Sequence, residues 1–389
     1  MKRVFLIVLD SVGIGAMDDA DKFGDAGTNT LRSASRGSCF HVPNMEQMGL
    51  FNIDGMDWHE GVKKPTAGYA RMTEASQGKD TTIGHWEIAG LISHKPLPVY
   101  PQGFPDDVIE AFEKMTGRGV LCNKPYSGTE VIKDYGDEHV KTGKLIVYTS
   151  ADSVFQIAAH ESVVPVETLY EYCRMARKLL TGKHSVGRVI ARPFVGESGA
   201  YVRTTNRHDF SLEPTGTTML DVLKEAGKDV IGVGKIKDIF AGRGVTSYVY
   251  TKGNADGIDK TLGYLDQDFD GLCFINLVDF DMLYGHRNDI EGYAKALTEF
   301  DKALPSIIGK MREDDLLMIT ADHGNDPTYK GTDHTRECVP CLMYSPSMKE
   351  HGILDDSSSF GVLGASVLDN FDLSKPSDLI GESILDLTK

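Results

Sequence analysis

The sequence predicts an α/β protein built on a doubly wound, mostly parallel sheet, with a second, smaller α/β domain inserted into it. Short apolar runs have the length of strands, and their near-continuous hydrophobicity indicates burial on both faces of a sheet. Segments with helical periodicity lie between these runs, and alternating strands and helices are typical of parallel sheets. Two proline-containing stretches in the middle of the chain mark the ends of the inserted domain.

The strand-like runs of the core end in polar residues. In chain order, the runs and the residues that follow them are 4–9 with Asp10, 230–233 with Gly234 and Lys235, 272–278 with Asp279 and Asp281, and 316–321 with Asp322 and His323. Ligands of doubly wound sheets bind outside the carboxyl ends of the strands. We therefore expect these side chains, which are distant in sequence, to converge at one edge of the sheet.

The first run has a second interpretation, because two basic residues precede it as they precede the apolar part of a signal peptide. Asp10 ends the run after six residues, which is below the roughly 7–15 that such a peptide needs. A buried strand is therefore the better interpretation. No apolar stretch approaches the ~20 residues of a membrane span, so we expect a cytoplasmic protein without a membrane partner.

The clearest helical pattern lies at residues 291–311, where apolar residues recur at helical spacing. It lies between the run that ends at Asp281 and the run that ends at Asp322, so it is one of the helices that alternate with strands. Pro305 lies within the pattern and is expected to kink the helix or to split it.

The inserted domain is predicted to span residues 97–212, so that the core domain comprises residues 1–96 and 213–389. Its ends lie in the stretches SHKPLPVYPQGFP and TNRHDFSLEPTG, which resemble domain boundaries. The strand-like runs and the helical pattern between these stretches lie at residues 145–148, 186–191 and 166–180.

The charge and the cysteine content exclude some classes of function. The formal net charge is -16, and such an acidic protein repels nucleic-acid phosphates and anionic lipids, so neither is expected as a partner. Six cysteines in 389 residues are too few for a disulfide scaffold. Cys338 and Cys341 form a lone CxxC without an obvious second pair of ligands, so reduced thiols are favoured over a metal or redox role.

Six carboxylate and imidazole residues form the strongest candidate site. They are Asp10, Asp281, His286, Asp322, His323 and His334. These ligand types suit Mn²⁺, Mg²⁺ or Zn²⁺. Three protein ligands for each of two ions would leave open positions for a nucleophile and for phosphoryl oxygens. Any one aspartate at a strand end is more often a helix cap or a turn former, so the prediction depends on the six together.

Two further elements complete the candidate site. The segment GKDTTIGHWEIAG places the hydroxyls of Thr81 and Thr82 before a predicted helix, whose N-terminus favours a phosphate group. An ordinary threonine cap is the alternative. Cations that can bind phosphate form the second element, with solvated or salt-bridged surface groups as the alternative. These cations are Arg188, Arg192, Arg203, Arg207, His208 and Lys235.

Together these segments resemble the bacterial phosphopentomutases, a family of the alkaline phosphatase superfamily. The resemblance is carried by VLDSVGIG, GKDTTIGHWE, TSADS, GRVIARPFVG, NLVDFDMLYGHR and TADHGNDPTYKGTDHTRE, which are spread over essentially the whole chain. It implies an alkaline-phosphatase-like core with a two-metal site and an inserted cap domain. The segments that differ most from the family pattern are residues 51–66 and the C-terminal tail.

The resemblance implies a role for each candidate residue. The residues implied for the metals and the phosphoryl group are Asp281, His286 and His334 for one Mn²⁺, Asp10, Asp322 and His323 for the other, and Thr81 for the phosphoryl group. Ser150 and Asp152 match the ribose contacts of the family. The residues that match the surroundings of the distal phosphate are Arg188, Arg203, Arg207 and Lys235.

The implied activity is the interconversion of ribose 1-phosphate and ribose 5-phosphate, and of the 2-deoxyribose phosphates, through a phosphothreonine enzyme and a 1,5-bisphosphate intermediate. Pentose phosphates are then the small-molecule partners, and glucose 1,6-bisphosphate or ribose 1,5-bisphosphate is the activator. A related metal-dependent phosphatase or a cofactor-independent phosphoglycerate mutase is the nearest alternative. A non-catalytic metal-binding or interaction module is a more distant one, because it leaves the placement of Thr81 and the cations unexplained.

Overall fold

The computed structural model describes residues 2–150 and 152–385 of the 389-residue chain. The chain divides into two compact units. The core unit comprises Met1–Lys95 and Pro214–Lys389, and the inserted unit comprises Pro96–Glu213. The function of the inserted unit as a cap stays a prediction.

The strands of the described residues belong to two sheets. In chain order they are β1 (Arg3–Leu9), β2 (Gly68–Met72), β3 (Val120–Pro125), β4 (Leu145–Thr149), β5 (Val154–His160), β6 (Arg188–Val195), β7 (Val202–Arg203), β8 (His208–Ser211), β9 (Asp229–Val233), β10 (Ser247–Val249), β11 (Gly271–Leu277), β12 (Leu316–Thr320), β13 (Val339–Tyr344) and β14 (Gly352–Ile353).

The α-helices lie between these strands. In chain order they are α1 (Ala20–Phe23), α2 (Thr30–Ala34), α3 (Pro43–Met48), α4 (Thr81–Ile88), α5 (Asp106–Thr116), α6 (Glu130–Thr142), α7 (Val166–Leu179), α8 (Met219–Glu225), α9 (Ile236–Ile239), α10 (Asn254–Leu265), α11 (Ile290–Gly309) and α12 (Gly361–Asn370). A π-helical turn at Phe280–Tyr284 continues into a 3₁₀ turn at Gly285–Arg287.

The core unit contains an eight-stranded sheet with the order β10-β9-β11-β1-β12-β13-β2-β14. Neighbouring strands from β10 to β12 are parallel, whereas β13 is antiparallel to both β12 and β2. The predicted α/β fold with a mostly parallel sheet is therefore confirmed. Strands β11, β1 and β12 are adjacent and precede Asp281, Asp10 and Asp322, so their carboxyl ends bring these aspartates to one edge of the sheet.

Strand β1 is buried along its whole length, as its apolar sequence predicts. Full burial of each large aliphatic side chain contributes roughly 1.5–3 kcal/mol, so the central strand is a large part of the core. Arg3 is the charged exception, and its guanidinium forms an ion pair with Asp315 (Nε to Oδ1, 2.9 Å). The same guanidinium donates to the carbonyl of Leu265 at 2.9 Å, which satisfies a charge that burial alone would make costly.

Helix α11 is not split by its proline, so that part of the prediction was wrong. The helix runs without a break from Ile290 to Gly309, with Pro305 inside it. Proline lacks the N–H that would bond the carbonyl four residues earlier, which is that of Asp301. Asn44 Nδ2 donates to this carbonyl at 3.1 Å and to the Asp301 carboxylate at 2.8 Å. A partner distant in sequence thus satisfies the group that proline leaves free.

The inserted unit has a mixed sheet with the order β3-β4-β5-β6-β7, and β8 pairs with β6. Strands β5 and β6 are parallel, whereas β4 and β5 are antiparallel. Residues of α5 and α7 share one hydrophobic cluster with the strands, and residues of α6 share another, so both faces of the sheet are covered. Strand β6 begins at Arg188 and continues to Val195, beyond the predicted run, because it pairs with β5 along its length.

Cys338 and Cys341 are free thiols, and both are buried. Cys341 lies in β13, which begins one residue after Cys338. Side chains alternate between the two faces of an extended strand, so residues three apart point to opposite faces. Among the described residues, neither cysteine belongs to a group that could hold a metal. The lesser interpretation of this pair, as a metal or redox motif, therefore finds no support.

Candidate active site

The six predicted ligand residues form two groups in the core unit. Ligand atoms of Asp281, His286 and His334 lie within 4.8 Å of one another, and so do those of the second group. The residues of the second group are Asp10, Asp322 and His323. The groups adjoin, because the rings of His323 and His334 have centroids 4.1 Å apart.

The group of Asp10, Asp322 and His323 is almost completely inaccessible to solvent. Each of its side chains is at most 1% exposed. His323 Nδ1 lies 3.0 Å from the Gly324 carbonyl, which can only accept, so Nδ1 carries the proton and Nε2 carries the lone pair. This lone pair faces Asp322 Oδ2 at 3.4 Å and Asp10 Oδ1 at 3.5 Å. Burial lowers the pKa of His323 to about 4, which keeps the ring neutral and available as a ligand.

Electrostatic repulsion within this group indicates that it needs a cation. Burial raises the pKa of Asp10 well above its usual value, and the charges of Asp322 and Asp281 raise it further. Burial also opposes ionisation of Asp322, but His323 and His85 outweigh it and lower the pKa of Asp322. Asp10 Oδ1 finds no hydrogen-bond donor within residues 2–150 and 152–385. Converging carboxylate and imidazole lone pairs with an unsatisfied buried oxygen fit a divalent ion.

The group of Asp281, His286 and His334 has the same ligand types but is less buried, since the side chains of His286 and His334 are 35% and 13% exposed. His286 Nδ1 lies 2.6 Å from the Thr332 carbonyl, which directs Nε2 toward Asp281 Oδ2 at 3.1 Å and toward His334 Nε2 at 3.2 Å. Burial opposes the charge of Asp281, but the two histidines hold its pKa well below the usual range. Burial lowers the pKa of His286 as well, yet the hydrogen bond and charge of Asp281 raise it overall. A cation held by these atoms would compete with the proton that Asp281 favours on His286.

Thr81 is the first residue of α4, and Asp80 is its N-cap. The Asp80 carboxylate accepts from the backbone N–H of Thr82 at 3.1 Å and of Ile83 at 3.2 Å. The alternative interpretation of the threonines as ordinary caps is therefore wrong. Thr81 Oγ1 lies 3.1 Å from His323 Nε2, so its hydroxyl is next to the buried metal-ligand group.

Other residues of the motif around Thr81 fix the position of α4. A side chain on Gly84 would come within 2.2 Å of the Asp322 carbonyl oxygen, so the helix packs directly on the backbone of a candidate ligand. Trp86 Nε1 donates at 3.1 Å to a carbonyl of α9. Glu87 accepts from the N–H groups of residues 75–76 at 2.8 and 2.7 Å. Most side chains of this motif therefore position the helix, and this requirement explains why the motif has a specific sequence.

Three polar residues near the ligands were not identified from the sequence. His85 Nδ1 lies 3.1 Å from Asp322 Oδ2, and Asn276 Nδ2 donates to Asp10 Oδ2 at 2.7 Å. Asn325 Nδ2 donates to Asp281 Oδ1 at 2.8 Å. His85 and Asn325 lie inside segments already singled out, GKDTTIGHWE and TADHGND, and Asn276 lies in the apolar run before Asp279. Asn276 could have been identified from the sequence, because a polar residue within a buried apolar strand needs a hydrogen-bond partner.

The inserted unit brings most of the predicted substrate residues into one charged cluster. Asp152 donates its N–H to Ser150 Oγ at 3.3 Å, and its carboxylate lies 3.5 Å from Arg188 Nη2. Arg188 also pairs with Asp209 at 3.5 Å, and Arg207 bonds Asp209 through two contacts of 2.8 Å. Burial opposes the charge of Asp209, but these arginines lower its pKa. Asp209 was not predicted and is the centre of the cluster.

Two further arginines lie near the same cluster. Arg203 and Tyr148 both lie close to Gly128. A Cβ atom placed on Gly128 would be 3.1 Å from Arg203 Nη1 and 2.9 Å from the Tyr148 hydroxyl. Arg192 Nε donates to Gln156 Oε1 at 3.1 Å. Burial raises the pKa of Tyr148, whereas the nearby arginines oppose this rise. Strand β6 carries Arg188 and Arg192, and β7, which pairs with β6, carries Arg203, so the arginines gather in one region of the inserted unit.

Lys235 belongs to the core unit and is placed differently from the arginines. It directly follows Gly234 at the carboxyl end of β9 and is the N-cap residue of α9. Its positive charge opposes the rise in the pKa of Asp10. Lys235 is therefore part of the electrostatic environment of the buried metal-ligand group.

Comparison with known proteins defines the class first. The sequence pattern of the Metalloenzyme superfamily matches residues 2–375, so the chain belongs to that superfamily. A solved phosphoglycerate mutase from Leishmania mexicana has a TM-score of 0.50 with 12% identity, covering 97% of each chain. At this identity the likeness concerns the fold alone, and it agrees with the predicted alkaline-phosphatase-like class, which is confirmed.

The closer relatives define the family. Phosphopentomutases from Lachnoclostridium phytofermentans and Acetivibrio thermocellus are 60% and 58% identical to the chain, and each alignment covers 99% of both sequences. The chain belongs to the phosphopentomutase family. It is an enzyme of the isomerase class, an intramolecular phosphotransferase that binds metal. Within the described residues, no helix is both long and apolar enough to cross a membrane.

Proposed function

We propose that the enzyme interconverts ribose 1-phosphate and ribose 5-phosphate, and the corresponding 2-deoxyribose phosphates, with Thr81 as the residue that carries the phosphoryl group. One observation carries the proposal: Thr81 Oγ1 lies 3.1 Å from His323 Nε2, at the edge of two groups of metal-binding side chains. The names of the relatives support a pentose phosphate as the substrate, and the distance between Thr81 and the ligand groups supports Thr81 as the nucleophile.

Two divalent ions, most suitably Mn²⁺, fit the two groups of ligands. Asp281, His286 and His334 would hold one of them. The ligands of the other would be Asp10, Asp322 and His323. When bound, such ions lower the pKa of a nearby hydroxyl and neutralise phosphoryl oxygens. The metal ligands are carboxylate oxygens and imidazole nitrogens without a thiolate, a combination that suits Mn²⁺ and Mg²⁺.

The reaction of Thr81 has two phosphoryl transfers. In the first, the bond between phosphorus and Thr81 Oγ1 breaks while a bond forms to the free hydroxyl of the pentose monophosphate, and the proton of that hydroxyl ends on the released Thr81 Oγ1. The product is a pentose 1,5-bisphosphate. In the second, Thr81 Oγ1 takes the phosphoryl group at the other position, and the isomeric monophosphate leaves. In-line placement of the oxygens is the main requirement of such transfers, and the packing of α4 on Asp322 provides a rigid position for Thr81.

Residues of the inserted unit provide the recognition of the sugar phosphate in this proposal. Ser150 and Asp152 are suited to ribose hydroxyls, and Arg188 and Arg207 to the phosphate that is not being transferred. Arg203 and Lys235 are further cations for it. A mutase must also keep water from its phosphothreonine, and we assign this task to the inserted unit as a cap.

The test is an assay of ribose 1-phosphate conversion with Mn²⁺ for Thr81→Ala and for its neighbour Thr82→Ala. Thr81→Ala deletes the carrier, so turnover is expected to fall below detection while Mn²⁺ binding persists. Thr82→Ala is the matched control and is expected to retain most of the activity. Isomerisation by Thr81→Ala near the wild-type rate would contradict the proposal.

Two further measurements in the same assay separate this proposal from its alternatives. Release of inorganic phosphate in place of isomerisation would identify a phosphatase. Enzyme shown by mass spectrometry to lack phosphate on Thr81 is expected to be activated by traces of glucose 1,6-bisphosphate or ribose 1,5-bisphosphate, because the first phosphate must be installed. No activation of such enzyme would argue against the phosphothreonine cycle. Cytoplasmic localisation stays a prediction.

A further inference from the structure

A buried chain of hydrogen-bonding groups connects Asp322 to Asp10 through two residues without a role in the reaction described above. His85, in α4, is completely buried. Its Nδ1 lies 2.8 Å from the carbonyl oxygen of Thr81 and 3.1 Å from Asp322 Oδ2. Because a carbonyl only accepts, Nδ1 carries the proton and Nε2 carries the lone pair.

Asn276, in β11, completes the chain. Its amide nitrogen donates to Asp10 Oδ2 at 2.7 Å and lies 3.4 Å from His85 Nε2, so its two N–H groups serve both acceptors. The opposite orientation of the amide would place Oδ1 against the Asp10 carboxylate, which would repel it. In the observed orientation the amide nitrogen faces Asp10 and His85, and Asn276 Oδ1 finds no donor in the described part of the chain. A buried unsatisfied oxygen is costly, which indicates that the contacts of the amide nitrogen outweigh it.

We propose that His85 and Asn276 are positioning residues that orient Asp322 and Asp10 for a divalent ion and hold Thr81 beside it. His85 contacts a carboxylate of the ligand group through its ring and the phosphoryl carrier through the backbone of Thr81. Asn276 contacts the other carboxylate and His85. The inference rests on the proposed function in one respect, that the group formed by Asp10, Asp322 and His323 binds an ion.

The physical reason lies in the burial of two like charges. Asp10 and Asp322 repel each other when both are ionised, and without fixed donors they would separate or turn away from the ion position. The Asn276 amide occupies Asp10 Oδ2 and leaves Oδ1 directed at His323. The Ser11 N–H occupies Asp322 Oδ1 at 3.0 Å, and His85 Nδ1 lies beside Oδ2, the oxygen that faces His323. Residues of this kind, which orient metal ligands, typically change metal affinity by about 10- to 100-fold when they are substituted.

The test is a titration of the metal-free protein with Mn²⁺, followed by the electron paramagnetic resonance signal of free Mn²⁺ and by calorimetry. His85→Leu and Asn276→Leu keep the side-chain volume approximately and remove the donors. Each is expected to weaken one of the two ion sites by about 10- to 100-fold. His85→Asn places an amide near Nδ1 and is expected to recover most of the lost affinity.

A matched control separates positioning from general stability. His139 is a buried histidine of the inserted unit, with Nδ1 2.6 Å from the Lys144 carbonyl and Nε2 accepting from the His160 N–H at 2.8 Å. His139→Leu is expected to lower the melting temperature and to leave both Mn²⁺ affinities unchanged. An equal loss of Mn²⁺ affinity in His139→Leu would overturn the assignment of a positioning role.

The remaining outcomes also decide the question. Wild-type affinity at both sites in His85→Leu and Asn276→Leu would refute the inference, as would a His85→Asn variant no better than His85→Leu. If His85→Leu does not fold, Asn276→Leu decides alone. The titration requires neither substrate nor phosphorylated Thr81, so its result is independent of the role of Thr81. Absence of any second ion in the wild type would instead refute the two-metal proposal and this inference with it.

Discussion

The two charged clusters of this protein hold their charges in opposite ways. In the core unit, Asp10 and Asp322 are at most 1% exposed, and one oxygen of each faces the lone pair of the neutral His323 ring. In the inserted unit, the side chains of Arg188 and Arg207 are 37% and 45% exposed and are already paired with Asp209. The first cluster is unbalanced until a cation binds, whereas the second is balanced by its own carboxylate.

This difference indicates different tasks. Buried repulsion between carboxylates is strong, so the core cluster has one stable use, the tight binding of metal. The side chains of Arg188 and Arg207 are partly exposed, so they stay accessible to the phosphate of the proposed substrate, whereas the Asp209 side chain is only 18% exposed. A phosphomutase needs both properties, because its catalytic ions stay bound while its monophosphate substrates and products must bind and leave.

The sharpest test of this comparison substitutes one carboxylate in each cluster. Asp322→Asn is expected to reduce kcat/KM by more than about 100-fold, because it removes a charged candidate ligand from a buried site. Asp209→Asn is expected to leave kcat nearly unchanged and to raise KM by at most about fivefold, because Arg188 and Arg207 are partly exposed and keep their charge. Steady-state kinetics with Mn²⁺ measures both. A loss of kcat in Asp209→Asn as large as that in Asp322→Asn would refute the contrast between the clusters.

A smaller effect is expected from a methyl group added where α4 meets the metal-ligand group. The added carbon of Gly84→Ala would lie 2.2 Å from the Asp322 carbonyl oxygen, so α4 must shift and carry Thr81 with it. We expect a loss of about 1–3 kcal/mol in the free energy of unfolding and a reduction in kcat of about tenfold or more. Denaturant unfolding and kinetics measure these two effects.

Gly263→Ala is the matched control for this prediction. Gly263 lies inside helix α10, and a side chain on it meets no atom within 4 Å. Alanine is expected to stabilise the protein by roughly 0.5–1 kcal/mol, because glycine is the poorer helix former. Equal kcat values for Gly84→Ala, Gly263→Ala and the wild type would show that the contact with Asp322 does not set the position of Thr81.

The smallest expected effect is the dependence of metal affinity on pH. The pKa of Asp10 and the pKa of His286 are both raised, so protons compete with the ions for these ligands. Protonation begins above the usual histidine value of 6.5, so affinity is lost as the pH falls through this region. Each displaced proton weakens binding by about tenfold per pH unit below the raised pKa.

Calorimetry in two buffers with different ionisation enthalpies counts the protons released on Mn²⁺ binding. At least one proton is expected near neutral pH. The dissociation constant is expected to rise between pH 8 and pH 6. Equal affinity at both pH values without proton release would show that the ligands of the core cluster are already deprotonated in the metal-free protein.

Several parts of the site were predictable from local sequence because they depend on the ends of strands. Asp10, Asp281 and Asp322 each follow an apolar run, and parallel strands bring such residues together. Thr81 was found from its motif, although its neighbour Asp80 proved to be the cap. The assignment of these residues as ligands and carrier stays a prediction, whereas their proximity is a property of the structure.

Other parts depended on pairs of residues that no local pattern connects. Asn44 satisfies the carbonyl freed by Pro305 and thereby allows α11 to continue. Asn276 is one polar residue in an apolar strand, and its partner His85 is 191 positions away. Asp209 pairs with Arg188 and Arg207, for which the sequence left open both a phosphate-binding role and a salt bridge. The partner of each of these groups is chosen by packing in three dimensions.

The order of apolar and polar residues is sufficient for the fold class, the strands and the set of candidate ligands, because burial and strand direction act over short segments. It is also sufficient for the family, since the motifs are spread over nearly the whole chain. The tertiary structure decides which oxygen of each carboxylate is left for a cation and which arginines are already paired. Those choices depend on differences of a few tenths of an ångström in the distances between residues that only folding brings together.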